Sequence, residues 1–220
     1  MANAKTIDFE GLAAAVARET GTGRSVVAVV GAPGSGKSTL AERLASRING
    51  TAPGSAAVLP MDGYHFDDRV LVARGLRARK GAPETFDVGG LLHMLGRLKR
   101  NEEDEIAVPV FDRALEIARA GASLIPRTVS RVIVEGNYLL LDRPPWRGLH
   151  AFFDITVAIA VPEDVLRRRL TRRWRGYRLP PKEIEVKLEL NDLPNGRLVA
   201  ASSVAADFVL SSPLPQRRVS

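Results

Sequence analysis

Ser25-Val-Val-Ala-Val-Val-Gly-Ala-Pro-Gly-Ser-Gly-Lys-Ser-Thr39 decides how this chain is read. Its first six residues form a short apolar run rich in β-branched side chains, the pattern of a strand buried on both faces of a parallel sheet. The next eight, Gly31 to Ser38, fit G-x-x-x-x-G-K-[ST], a phosphate-binding loop. The context also agrees, because the loop leaves a strand and opens a helix expected over Lys37–Asn49. Glycines let backbone N–H groups converge on phosphate oxygens, and the helix N-terminus adds its positive dipole end. On this reading Gly31, Ala32, Pro33, Gly34, Ser35 and Gly36 cradle a nucleotide triphosphate. Lys37 reaches its β- and γ-phosphates, Ser38 gives a hydroxyl to Mg²⁺, and Thr39 contacts the α-phosphate. The expected ligands are ATP and Mg²⁺.

Upstream, Phe9, Leu12, Ala13 and Val16 recur at helical spacing over residues 7–18, with Asp8 as N-cap. Downstream, Ala56–Pro60 reads as a second strand, and residues 63–88 as a charged loop. Leu91, Leu92, Leu95 and Leu98 mark a helix face. Arg131–Val134 and Ile155–Val161 read as buried strands. Helices are expected at 163–175, 182–190 and 195–201, a last strand at Asp207–Leu210, and a frayed tail from Ser211 to Ser220. Strands alternating with helices specify an α/β fold: three α/β/α layers around a central, mainly parallel sheet. Residues 1–210 read as one domain, with 63–88 and a helical lid at about 163–178 as mobile covers.

Composition narrows the function. With 220 residues, 45% hydrophobic and 26% charged, the chain has globular proportions, and the absence of cysteine removes disulfides and thiolate metal sites. No apolar run reaches membrane-spanning length and the start has no apolar leader core, so a cytoplasmic protein is expected. The net charge of +7 and pI near 10.2 suit either nucleic acid or anionic small molecules. Seven arginines fall between Arg167 and Arg178, which favours a local phosphate role, so a nucleic-acid partner is not expected.

A phosphate loop names the ligand and not the reaction, which other strand ends must supply. Asp62 follows the strand ending at Pro60, and Glu135 follows the one ending at Val134. A carboxylate within reach of an acceptor hydroxyl orients it and takes its proton as the phosphoryl group arrives. Asp62 suits that role, and Glu135 suits Mg²⁺. Arg169 and Arg173 share a helix face and supply guanidinium charge to the transferring group. His65 lines the acceptor pocket. His93, among leucines, reads as structural, and the three histidines lack metal-ligand spacing. No N-K-x-D stretch points to a guanine-reading switch. The alternatives are a nucleic-acid-binding P-loop ATPase and a nucleotide-binding regulatory protein.

The phosphate loop, Met61–Phe66, Arg74–Leu76, Lys80–Asp87, Val108–Arg113, Val134–Leu140 and Asn191–Asn195 follow one another in an order that resembles the phosphoribulokinase/uridine kinase family of P-loop kinases, in particular its pantothenate-kinase-like branch. The resemblance spans about residues 25–210. It implies transfer of the γ-phosphoryl group of ATP to a hydroxyl of a small metabolite, with Asp62 as the catalytic carboxylate. It also implies Lys37, Ser38 and Glu135 on phosphate and metal, and Arg169 and Arg173 on a lid. Acceptor contacts come from His65, Lys80 and Glu84 of the 80–87 loop, Arg113 and Asn195. A homodimer is expected on the same basis. Pantothenate kinases of this type carry Tyr and His where this chain has Phe111 and Arg113. That leaves the acceptor as a sugar, a nucleoside or a pantothenate-like alcohol.

Overall fold

The alternation of side chains along one central strand organises the molecule. The computed structural model describes residues 4–19 and 23–210; the expected tail at 211–220 lies outside them. Strand β1 (Lys5–Ile7) leads into helix α1 (Phe9–Arg18), which Asp8 caps by accepting the Gly11 N–H at 2.7 Å. The helix starts directly after the expected cap, and Ile7 before it belongs to a strand. β2 (Ser25–Gly31) is buried along its whole length. Helix α2 (Lys37–Asn49) and strand β3 (Ala56–Pro60) follow with the expected bounds.

Short helical elements from Met61 onward correct the expectation of a loop at 63–88. They are a 3₁₀ turn (Met61–Tyr64), helix α3 (Asp68–Ala73) and two further 3₁₀ turns, each too short and too charged to show a periodic apolar face. Helix α4 (Val88–Arg100) comes next. Strands β4 (Glu105–Asp112) and β5 (Ile117–Pro126) then form an antiparallel hairpin that the sequence pattern did not reveal. β6 (Arg131–Gly136), β7 (Ile155–Ile159), α5 (Glu163–Gly176), α6 (Pro181–Lys187), a π-helical turn (Leu188–Asp192), α7 (Leu193–Ser202) and β8 (Phe208–Leu210) complete the described chain.

Six strands form one sheet in the order β1-β8-β7-β2-β6-β3, every neighbouring pair parallel. Period-2 alternation along β2 then builds two cores. Val26, Ala28 and Val30 face the cluster containing Leu91, Leu95 and Leu98 of α4. Val27 and Val29 face the cluster of Leu12 and Val16 from α1 and Leu40 and Leu44 from α2. A third cluster, Leu166, Leu170, Ile184, Leu188 and Leu193, ties α5 to the helices after it. The result is three layers, α/β/α. Arg24, buried at 2% exposure, fastens the entry to β2 by donating to the carbonyls of Val129 (2.8 Å), Pro126 (2.7 Å) and Leu98 (3.4 Å). This leaves the carboxyl ends of β2, β3 and β6 together at one edge, where loops have to supply function.

Candidate active site

Three neighbouring strand ends deliver the chemistry. β2 runs into the Gly31–Ser38 loop, β6 carries Glu135 one residue before its end, and β3 is followed by the turn that carries Asp62. Parallel pairing sets Val29 of β2 and Pro60 of β3 level with Glu135 of β6, so the register brings the three together.

The loop is shaped as a cradle. Gly34 (φ +80°) and Gly36 (φ +105°) adopt backbone angles that other residues rarely take. A Cβ on Gly31 would lie 2.9 Å from the Ile159 carbonyl oxygen, so no larger residue fits where the loop passes β7. The N-terminus of α2 has no side-chain cap, which leaves its first N–H groups for an anion. Lys37 is buried and rests its Nζ 3.3 Å from the Ala32 carbonyl oxygen. Burial pushes its ammonium pKa down, against Glu135 and Asp62, which pull it up. Ser38 donates its hydroxyl to Glu135 Oε1 at 2.9 Å. Burial raises the Glu135 carboxyl above its ordinary value, opposed by Lys37. Both partners are of the types that hold Mg²⁺. Among the described residues no group of three or more His, Cys, Asp or Glu is clustered to hold a metal unaided. The uncapped helix, the lysine and the Ser38–Glu135 pair fit a nucleotide carrying Mg²⁺, which Ser38 and Glu135 would hold.

Asp62 sits beside this cradle with 24% of its side chain exposed. Its Oδ2 accepts from Arg113 Nη2 at 2.7 Å. Burial pushes its carboxyl up, but Arg113, His65, Lys37 and Arg173 together outweigh it, and the net direction is down. His65 places Nδ1 2.8 Å from the Asp62 carbonyl oxygen, and its ring lies between Phe86 (centroids 4.0 Å) and Phe111 (4.9 Å). A carbonyl only accepts, so that nitrogen carries the proton and Nε2 is left as an acceptor. Burial also lowers the His65 pKa, in spite of Asp62, which favours this neutral form.

Helix α5 packs directly on the cradle. Arg169 Nη1 donates to the carbonyls of Ser35 (3.0 Å) and Gly34 (3.3 Å), and a Cβ on Gly34 would meet Leu170 at 3.1 Å. Arg173, one turn on, is exposed and lies in the field of Asp62 and Lys37. Trp174 donates its indole N–H to Asp192 Oδ2 at 2.7 Å, which pins the end of α5 to the π-helical turn.

Three residues expected at the acceptor have partners inside the protein. Lys80 Nζ binds Asp68 Oδ1 at 2.6 Å and the Glu116 carbonyl oxygen at 2.5 Å. Glu84 pairs with Arg79 at 3.2 Å on the surface. Asn195 is buried and donates to Asn191 Oδ1 at 3.0 Å and to the Gly81 carbonyl oxygen at 3.5 Å. Asn191 donates to the Lys80 carbonyl oxygen at 2.7 Å, and Tyr138 to that of Gly81, also at 2.7 Å. These side chains hold the 80–81 loop as a wall. His93, read as structural, lies exposed on α4. The sequence reading missed Asn191, Tyr138 and Trp174 as supporting residues, although Asn191 and Tyr138 stand within motifs it singled out.

No protein-family model matches the chain. A Schizosaccharomyces pombe protein provisionally named uridine kinase C227.14 is 31% identical over 194 residues, covering 85% of this chain and 83% of that one. The Escherichia coli protein YggC is 37% identical over 192 residues, covering 85% and 77%. Among solved structures, a Silicibacter sp. TM1040 protein provisionally named a fructose transport system kinase superposes with TM-score 0.84 at 41% identity, covering 92% of this chain and 98% of that chain. No helix among the described residues is long and apolar enough to cross a membrane. The chain is a phosphotransferase acting on a hydroxyl group, and it belongs to the phosphoribulokinase/uridine kinase family of P-loop kinases.

Proposed function

We propose that this kinase transfers the γ-phosphoryl group of ATP to a hydroxyl of a small polyhydroxylated metabolite, of the sugar, nucleoside or pantothenate-like kind. Asp62 carries the reading: a carboxylate at a strand end beside the phosphate cradle, one oxygen held by Arg113 and the other free for an alcohol. Mg²⁺ would supply neutralisation of phosphate charge, and Ser38 and Glu135 would hold it; Lys37 binds the β- and γ-phosphates, and the backbone of residues 31–39 cradles the chain of phosphates. Asp62 orients the acceptor hydroxyl and accepts its proton. A lowered pKa suits a base that is called on late, after most of the bond to the leaving oxygen has loosened.

Arg169, already on the loop, and Arg173, beside Asp62, place guanidinium groups where charge spreads during transfer, and α5 covers the site as a lid over 163–178 that limits access of water. On the acceptor side, His65 Nε2 accepts from a second hydroxyl, Phe111 offers an apolar surface, and Arg113 has N–H groups left to donate. Such a surface suits a molecule with several hydroxyls. The names of the relatives, uridine kinase and fructose transport system kinase, point to acceptors of that kind.

The test is Asp62→Asn, with ADP release followed over a panel of D-fructose, uridine and pantothenate. Turnover should fall by about 10²–10⁴-fold, the usual worth of a positioned base, while ATP affinity stays within about twofold. Near-normal turnover would remove Asp62 from its role.

A further inference from the structure

We propose that Arg113 is a positioning residue, which fixes the orientation of the Asp62 carboxylate and leaves Oδ1 for the incoming hydroxyl. The inference rests on Asp62 being the group that primes the acceptor. Its starting point is the 2.7 Å contact between Arg113 Nη2 and Asp62 Oδ2. Among the described residues no other side chain donates a hydrogen bond to that carboxylate. Asp62 stands in a short 3₁₀ turn, where a lone carboxylate rotates freely between two equivalent faces. A guanidinium on one oxygen removes that freedom and distinguishes the two oxygens.

The arginine is itself well placed for this. It follows Asp112, whose Oδ1 accepts the N–H groups of Ala114 (3.0 Å) and Leu115 (3.1 Å), so the backbone after β4 is fixed on both sides of the side chain. Asp112 Oδ2 also accepts from Arg119 across the hairpin at 3.3 Å. Two more attachments hold the same hairpin end to the acceptor wall. Phe111 packs on His65, and Lys80 joins the Glu116 carbonyl oxygen to Asp68. Nearly half of the Arg113 side chain is exposed (49%), so solvent screens the pair and its contribution to stability is small. Its effect on geometry is not screened.

The charged and titratable groups facing Asp62 come from several elements. They are Arg113 at the end of β4, His65 in the same turn, Lys37 of α2, Arg173 of α5, Glu135 of β6, and Tyr138 beyond β6. Burial favours the protonated acid, and Arg113 leads the groups that oppose it. Arg113 therefore keeps the carboxylate ionised as well as aimed. A side chain that only touched the acceptor would leave Asp62 unchanged in the nucleotide-free protein.

The experiment follows the carboxyl carbon of Asp62 by ¹³C NMR during a pH titration of the full-length, nucleotide-free protein labelled at aspartate. Asp62→Asn assigns the resonance, and circular dichroism checks that each variant folds. In wild type the midpoint should lie below that of an ordinary aspartate. In Arg113→Met it should move to higher pH, and in Arg113→Lys it should lie between the two. The same midpoint in wild type and Arg113→Met, or in wild type and both Arg113→Lys and Arg113→Gln if the methionine variant does not fold, would overturn the proposal. Because no turnover is measured, the outcome is separate from whether Asp62 is the catalytic carboxylate.

Discussion

Gly63→Ala tests whether catalysis depends on the close fit between the Asp62 turn and the hairpin. Gly63 follows Asp62 directly, and its Cα faces the backbone of β4. A Cβ there would lie 2.6 Å from the Pro109 carbonyl oxygen and 2.9 Å from its carbon. That falls roughly 0.8 Å short of the 3.4 Å at which ordinary contact begins. The backbone of a proline within β4 cannot swing aside as a side-chain tip can. The 61–64 turn must therefore back away from β4, taking Asp62 away from Arg113 and from the cradle.

Overpacking of this kind costs about 1–3 kcal/mol. For a chain of this size each kcal/mol lowers Tm by about 2–4 °C. A displacement approaching 1 Å at a reacting group costs about 10² in rate. The variant should remain folded with a Tm several degrees lower. It should bind ATP within about twofold of wild type, since the loop on β2 is untouched, and release ADP about 10²-fold more slowly with acceptor. Gly176→Ala is the control, because nothing lies within 4 Å of the new methyl group and the effect should be negligible. A Gly63→Ala protein with wild-type Tm and turnover would show that the turn has room the argument denies it.

Other perturbations address separate parts of the site. Ser38→Ala removes the hydroxyl that binds Glu135 and leaves that buried carboxylate without it; the Mg²⁺ concentration needed for half-maximal turnover should rise about 10-fold or more, read from ADP release against free Mg²⁺. Arg24→Met removes three hydrogen bonds to backbone carbonyls at the entry to β2 and should cost about 3 kcal/mol in urea unfolding, with little change in ATP affinity. The Asp62–Arg113 pair predicts a pH effect. Asp62 is held below its ordinary 3.8, so its contribution to stability is complete above that value and is lost as pH falls through the lower folded-state value. The stability difference between wild type and Asp62→Asn should stay constant above about pH 5 and drift, with wild type losing ground, below 3.8. Unfolding midpoints measured across that range decide it.

How much of this was legible in the sequence follows from which interactions are local. The strand–loop–helix unit was readable to the residue because β2 is buried on both faces, α2 has a periodic apolar face, and glycine spacing leaves a fixed mark. Asp62 and Glu135 were findable because the end of an apolar run identifies a strand end. The network around the 80–81 loop was not, since its members are joined by hydrogen bonds over long separations. Asn195 and Gly81 are 114 residues apart, and nothing at either position announces that the amide reaches that carbonyl.

The β4–β5 hairpin shows most clearly why the rest was hidden. β4 does alternate, with Ile106 and Val108 buried and Glu105 and Ala107 exposed. Yet Pro109 stands in its middle, and proline argues against a strand because it cannot donate to a ladder. β5 carries alanines and a glycine and is exposed along most of its length, so it lacks a core-facing pattern. In the structure the register slips between Val108 and Val110, so the proline occupies the one irregular place in the ladder, where a missing N–H costs little. Its carbonyl is the surface on which Gly63 rests. Beyond it, the strand delivers Phe111 to His65 and Arg113 to Asp62. The residue that breaks the strand pattern thus sits where the ladder is irregular, and a search for regular periodicity passes over a segment whose far end reaches Asp62.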